Sequence, residues 1–426
     1  MRKSTLIISS ALAVLAITSA SACSTRQGTE APKEETKLNH YLTNELSDTT
    51  ALAGLDRKVE AFMAEWQLKG VSLAVMRNDS LLYAKGYGWA DEAAQIRMEP
   101  YNILRLASVS KLVTATGIMV LQDEGKLSIR DKVFGEGGIL ADEPYSKSIR
   151  DANYYKITVE DLLRHKGGFV AGANDPMFST RNIMSSYGLT EAPDNDKLLE
   201  CVLKRRLGFM PGTTESYSNL GYLILSKVIE KASGKPYEDF ITEKVFRPSG
   251  IEGFRIANNY YREKYENEVR YYVQANEPPV QEYNNSGRMV TRCYGGNDIH
   301  ALSGAGAWVA SVPELMKFVA SIDGRPEIPD VISAESFESM IEYFDSKTFS
   351  LGWNDTKPDT GFSRSGSFSG TSAMIRYFPD GECWIMVTNT SNWRGSSFSR
   401  TIASFFSDMR RSYSKAFPQR DFFHVQ

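Results

Sequence analysis

The run from Ser108 to Leu121, SVSKLVTATGIMVL, is apolar almost all round and yet carries a lysine in its first turn. A helix without a polar face has to be covered on every side, so this segment belongs at the centre of a sizeable body. Gly125 stands where such a helix would end. A chain of 426 residues, 42% hydrophobic and 24% charged, can bury a core large enough to surround it, as one large domain or two interlocked ones. Lys111 is then the anomaly, because a buried ammonium is costly unless something holds it.

Strand signals are confined to the two ends of the folded body, which begins near Leu55. Residues 71–76 and 81–87 are β-prone runs flanking Asn78-Asp79, the pattern of a hairpin. Residues 371–378 and 382–388 flank Pro379-Asp380-Gly381, which has hairpin turn chemistry as well. Helices are expected over 219–232, closed by Gly234 and Pro236, and from about Ser397 to near the C-terminus. Ser311-Val312-Pro313-Glu314 reads as a capping box ahead of a helix carrying Leu315, Phe318, Val319 and Ile322. The middle is rich in turns and tyrosines and poor in strands.

The expected fold is therefore α+β: an antiparallel sheet flanked by helices and built from both chain ends, residues 51–133 and 299–426. A mostly helical domain, 134–298, is inserted between them, with a cleft at the join.

The N-terminus reads as an export signal over residues 1–22, with Met1-Arg2-Lys3 ahead of a short apolar stretch ending in small residues. Ser21-Ala22-Cys23 resembles the lipobox of bacterial lipoproteins, although Ala20 stands where that motif usually has leucine. Lipidation at Cys23 and a polar tether over 23–50 are expected, giving an exported chain, periplasmic or membrane-anchored, that meets the membrane only through its lipid. With 52 acidic residues against 49 Lys+Arg and no long basic run, nucleic acid is excluded as a partner. Cys201, Cys293 and Cys383 show no paired spacing, which argues against a disulfide framework or a zinc site and leaves room for one bridge.

Three short elements can carry chemistry. Ser108 and Lys111 are three apart at the start of the buried helix, on one face, where a desolvated lysine can activate a serine hydroxyl. Tyr217-Ser218-Asn219 sits at a loop-to-helix junction, where Tyr217 can relay a proton and Asn219 can hold Lys111 while donating to a substrate carbonyl. Arg364-Ser365-Gly366-Ser367 precedes a strand as an extended edge able to bind substrate. Gly366 permits close approach, and the backbone N–H of Ser367 pairs with that of Ser108 as an oxyanion hole.

In this order the elements resemble the SxxK, YxN and K-T-G motifs of the serine β-lactamase and penicillin-binding family, in its class C and D-alanyl-D-alanine carboxypeptidase branch. Further similar blocks, such as ITVEDLLRHKGGF over 157–169, extend the resemblance over about residues 55 to 410. The resemblance implies a Ser108 acyl-enzyme, Lys111 and Tyr217 as the proton-transfer pair, Asn219 orienting the substrate and Ser367 N–H in the oxyanion hole. It implies neither metal nor cofactor. The substrate would be a small molecule or peptide, cell-wall derived, with an amide, peptide or ester bond. One departure stands out: Arg364 replaces the usual Lys or His, so it could dock an acidic substrate group but not shuttle a proton, and weak β-lactamase turnover is expected.

Rival readings have less support. There is no Gly-x-Ser-x-Gly elbow, and only four histidines, His40, His165, His300 and His424, are available for a Ser-His-Asp triad. A binding or sensing module that keeps the fold and has lost turnover is the alternative from another class.

Overall fold

The computed structural model describes residues 42–170, 172, 175–345 and 348–424. The export signal, Cys23 and most of the tether expected from the sequence lie outside these residues.

Both chain ends enter one six-stranded antiparallel sheet. Its order is Ile96–Arg97, Ser80–Asp91, Gly70–Arg77, Glu382–Thr388, Thr371–Tyr377 and Phe362–Phe368. The first hairpin turns on Asn78 and Asp79, both at positive φ (46° and 57°), the backbone that matches the twist of a two-residue turn. The second turns at Gly381, φ 83°. The ends meet along Val71 opposite Thr388 through Arg77 opposite Glu382, where Arg77 also ion-pairs with Glu382 at 2.7 Å.

Alternation along these strands buries both faces. Val71, Leu73, Val75, Trp384 and Met386 pack under the helices Ala53–Trp66 and Phe398–Tyr413, against Leu55, Val59, Phe62, Phe398, Ile402 and Phe406. Ala74, Met76, Ala373, Ile375, Ile385 and Val387 face the other way, into the larger core that surrounds the helix Ser110–Asp123. In that helix every residue from Ser110 to Leu121 is buried, as its missing polar face requires. It packs against the helix Asn219–Ser233 and the short turn of helix Ser303–Gly306.

Two local expectations change. Ser311 accepts the Glu314 N–H at 3.3 Å, but the Glu314 carboxylate does not complete a capping box; it accepts from the N–H groups of Gly253 (2.7 Å) and Glu252 (3.1 Å), tying the helix Val312–Ala320 to a neighbouring loop. Cys201, Cys293 and Cys383 are buried and free, so no bridge joins them.

Candidate active site

Ser108 lies in a single 3-10 turn, Ala107–Val109, one step ahead of the helix proper. Ala107 has φ 48°, a left-handed conformation that costs a residue with a Cβ about 1–2 kcal/mol. The surroundings hold it there: Leu106 N–H donates to Trp308 O (2.9 Å), and Trp308 N–H donates to Ser110 Oγ (3.1 Å). The kink presents Ser108 to a cleft of about 490 Å³ that Tyr217, Asn219, Ser365 and Ser367 also line.

Lys111 is fully buried, and its ammonium finds an acceptor for each of its three hydrogens. These are Ser108 Oγ at 3.3 Å, Asn219 Oδ1 at 2.7 Å and the Ala305 carbonyl at 2.7 Å. Burial pulls its pKa below the ordinary lysine value, and the nearby Arg364 charge adds to the fall. Asn219 is free to act here because Ser218 takes over the helix cap, accepting the Gly221 N–H at 3.1 Å. The Asn219 amide then donates from its other end to Asp175 Oδ2 at 2.8 Å.

Tyr217 is enclosed between the two cations. Burial pushes its phenol up, but the charges of Lys111 and Arg364 outweigh that and bring it down to about 8. Arg364 Nη2 donates to its Oη at 3.3 Å. Behind its ring lies His165, 4.4 Å away between centroids. His165 Nδ1 accepts the Ser218 N–H at 3.1 Å, and burial together with the two cations keeps the imidazole neutral. It packs and braces the tyrosine, as a structural loop residue would.

Arg364 requires a correction. It is 1% exposed, and its guanidinium points beneath the nucleophile, with Nε donating to Ser108 O at 2.8 Å and Nη2 donating to the same oxygen. Nε and Nη2 are engaged inside the protein and Arg364 is not among the residues that line the cleft, so it is not placed to dock an acidic substrate group. Gly366 explains how the strand comes so close: a Cβ there would sit 2.3 Å from Leu106 O and 3.0 Å from Ser108 N. Ser365 points the other way, its N–H and Oγ both donating to Asn354 Oδ1 at 2.7 and 3.1 Å.

Sequence reasoning passed over Asp175, Asn354, Phe349 and Phe178, all of which line the cleft. Each sits in a loop or short turn with no periodicity; the only local signal was Asp175-Pro176, a cap for the turn Pro176–Phe178. Among the described residues, no cluster of His, Cys, Asp and Glu suited to a metal occurs.

The sequence profile of the Beta-lactamase family matches residues 55–404. A putative penicillin-binding protein, PbpX, of Bacillus subtilis is 26% identical over 299 residues, 70% of this chain and 65% of that protein. A putative D-alanyl-D-alanine carboxypeptidase of Escherichia coli O157:H7 is 28% identical over 190 residues, 43% of this chain and 42% of that protein. The chain thus spans less than two thirds of the length of these relatives. Among solved structures, a D-amino acid amidase from Ochrobactrum anthropi SV3, in complex with L-phenylalanine, superposes with a TM-score of 0.63 at 18% identity, over 86% of this chain and 99% of that one. With a profile match across most of its length, an antiparallel sheet drawn from both ends, and the three motifs converging on one cleft, the chain belongs to the beta-lactamase family.

Proposed function

We propose that the chain is a serine hydrolase that forms an acyl-enzyme on Ser108 and acts on an amide, peptide or ester bond. The observation that carries this reading is the environment of Lys111: a fully buried lysine with every hydrogen directed, one of them at Ser108 Oγ. The Lys111 and Arg364 charges bring the Tyr217 phenol down to about 8, and burial lowers the pKa of Lys111 itself, so the pair is suited to hold and pass one proton beside the hydroxyl. Tyr217, with Lys111, takes the Ser108 proton as Oγ attacks the acyl carbonyl, and passes it to the leaving amine or alcohol. The N–H groups of Ser108 and Ser367 receive the carbonyl oxygen as its charge grows. Asn219 orients both Lys111 and the substrate. The carboxypeptidase and amidase among the similar proteins act on amide bonds by their names, which supports the same bond class here.

Intact-protein mass spectrometry tests it, after incubation with a fluorophosphonate, a penicillin and a D-alanyl-D-alanine peptide. An adduct is expected on wild type and not on Ser108→Ala. Equal labelling of the variant would remove Ser108 from the mechanism, and no adduct from any probe on folded wild type would leave a binding module instead. Export and a lipid on Cys23 rest on residues 1–23 alone; metabolic labelling with a fatty-acid analogue, lost in Cys23→Ala, is the expected result.

A further inference from the structure

A second hollow, of about 520 Å³, shares no lining residue with the Ser108 cleft. It opens where the end of the helix Ala53–Trp66 meets residues 272–275 and 390–393. Its walls are tied to one another. Tyr272 N–H donates to Asn389 O and Ser391 N–H to Tyr272 O, each at 2.9 Å. Lys69 N–H donates to Thr390 Oγ1 at 2.9 Å, and Asn392 Nδ2 to Trp66 O at 3.3 Å. The hollow is therefore held in shape by the protein itself, and its size is that of a small-molecule site.

Two tryptophans form a ledge in it. Trp393 is 65% exposed, the most of any large hydrophobic side chain among the described residues, and paired indoles left open to water mark a binding surface. It stacks on Trp66 with centroids 6.0 Å apart and 30° between the planes, and Trp66 is backed by Phe398 at 5.2 Å. Arg394 lies over both indoles, 5.2 Å from Trp66 and 5.1 Å from Trp393. Gln67 and Gln274 line the same hollow, and each offers an amide donor and acceptor that no side chain or backbone group among the described residues takes.

This combination selects a ligand chemistry. An indole face attracts polarised C–H bonds, and amides suit hydroxyl groups. A pyranose whose hydroxyls are all equatorial brings both, with a flat face of axial C–H bonds and a rim of hydroxyls. An anion finds no spare cation in the lining, because Lys69 pairs with Glu92 at 2.8 Å. A quaternary ammonium needs rings set around it, whereas these two are near parallel and Arg394 already takes the cation's place over them. We infer that the hollow is a sugar-binding site, separate from the catalytic cleft, which takes an uncharged β-linked oligosaccharide of gluco configuration with one ring stacked on Trp393. The site stands whether or not Ser108 is acylated.

Isothermal titration of the full chain with cellotetraose and with chitotetraose tests it, with maltotetraose and choline as contrasts. Binding of either β-linked sugar supports the site, and the tighter one identifies the source as a plain glucan or an N-acetylated chain. Maltotetraose, whose α-links curve the chain away from a flat ledge, should bind about tenfold or more weakly. Trp393→Ala should weaken the β-linked sugar by about tenfold or more, and Gln274→Ala by a few-fold, both with unfolding midpoints near that of wild type because the two side chains are exposed. No binding of either β-linked sugar to folded wild type at about 10 mM overturns the inference. So does unchanged affinity in Trp393→Ala, or tighter binding of choline than of both sugars. Loss of affinity in Phe178→Ala, at the wall of the catalytic cleft, but not in Trp393→Ala would place the sugar beside Ser108 and overturn it as well.

Discussion

Replacing Arg364 by methionine separates its two tasks, because methionine keeps the apolar stem and removes both the fork and the charge. The guanidinium lies 3.3 Å from Tyr217 Oη. At that distance a unit charge in an effective dielectric of about 20 stabilises a phenolate by about 5 kcal/mol, an upper figure that relaxation and the remaining Lys111 charge reduce. Taking about half of it, the limb over which Ser108 reactivity rises with pH should move up from about 8 by about two pH units. Below both midpoints the phenolate fraction then falls about 100-fold. The assay is the second-order rate of fluorophosphonate labelling between about pH 6 and pH 10, on protein whose near-ultraviolet circular dichroism shows it folded. Arg364→Met should label about 100-fold more slowly near neutrality and recover to within a few-fold at the alkaline end. Arg364→Lys keeps the charge but not the fork, so its limb should stay near 8 with a lower plateau. An unmoved limb in Arg364→Met would refute the electrostatic argument and leave Arg364 acting only through Ser108 O. Both variants lose donors to a buried carbonyl, at a stability cost of about 1–3 kcal/mol in thermal or urea unfolding.

Further predictions concern the strand, the substrate and the far side of the sheet. Gly366→Ala places a Cβ 2.3 Å from Leu106 O and 3.0 Å from Ser108 N, both backbone atoms that cannot swing aside, so labelling of Ser108 should fall by more than about tenfold with the protein still folded. Nitrocefin hydrolysis should be slow, since among the described residues no cation lines the cleft to receive a β-lactam carboxylate; turnover at the rate of a dedicated lactamase would sink that argument. Near the first hairpin, Asp323 is raised to about 8 by burial and by repulsion from Asp79, while Tyr377 donates to it at 2.8 Å. Its folded pKa lies above the ordinary 3.8, so the native state keeps a proton that the unfolded chain has lost. Its contribution is full below about pH 4 and disappears as pH rises to about 8, at up to about 1.4 kcal/mol per pH unit. Asp323→Asn should flatten that slope in urea unfolding, and equal slopes for the two proteins would contradict the pair.

Local chemistry made the elements legible. Asn78-Asp79 and Pro379-Asp380-Gly381 announce their hairpins because few residues tolerate those turns, and strands at 70–77, 80–91, 371–377 and 382–388 follow within a few residues of expectation. The all-round apolar helix was legible because no surface position could explain it. Less visible was where each polar side chain would go when several partners competed. Glu314 left its capping box because two backbone N–H groups of a distant loop needed an acceptor. Asp175 was invisible for the same reason: its partner, Asn219, is 44 residues away, and a loop has no period to betray it.

Arg364 is the instructive failure, because its direction could have been argued from its neighbour. Successive strand residues alternate between faces, so positions 364 and 366 share one. If Gly366 is there to let the strand approach the nucleophile turn, then Arg364 points into the same narrow space beneath Ser108, where a guanidinium has to be hydrogen-bonded within the protein. A carbonyl and a phenol take its Nε and Nη2, and the consequence is electrostatic: the positive charge that a substrate carboxylate would seek lies below the floor of the cleft, beside the phenol of Tyr217. The motif serines that line the cleft and the charge that brings down the Tyr217 phenol are thus set by opposite faces of one strand, and only the first can be read from the order of residues.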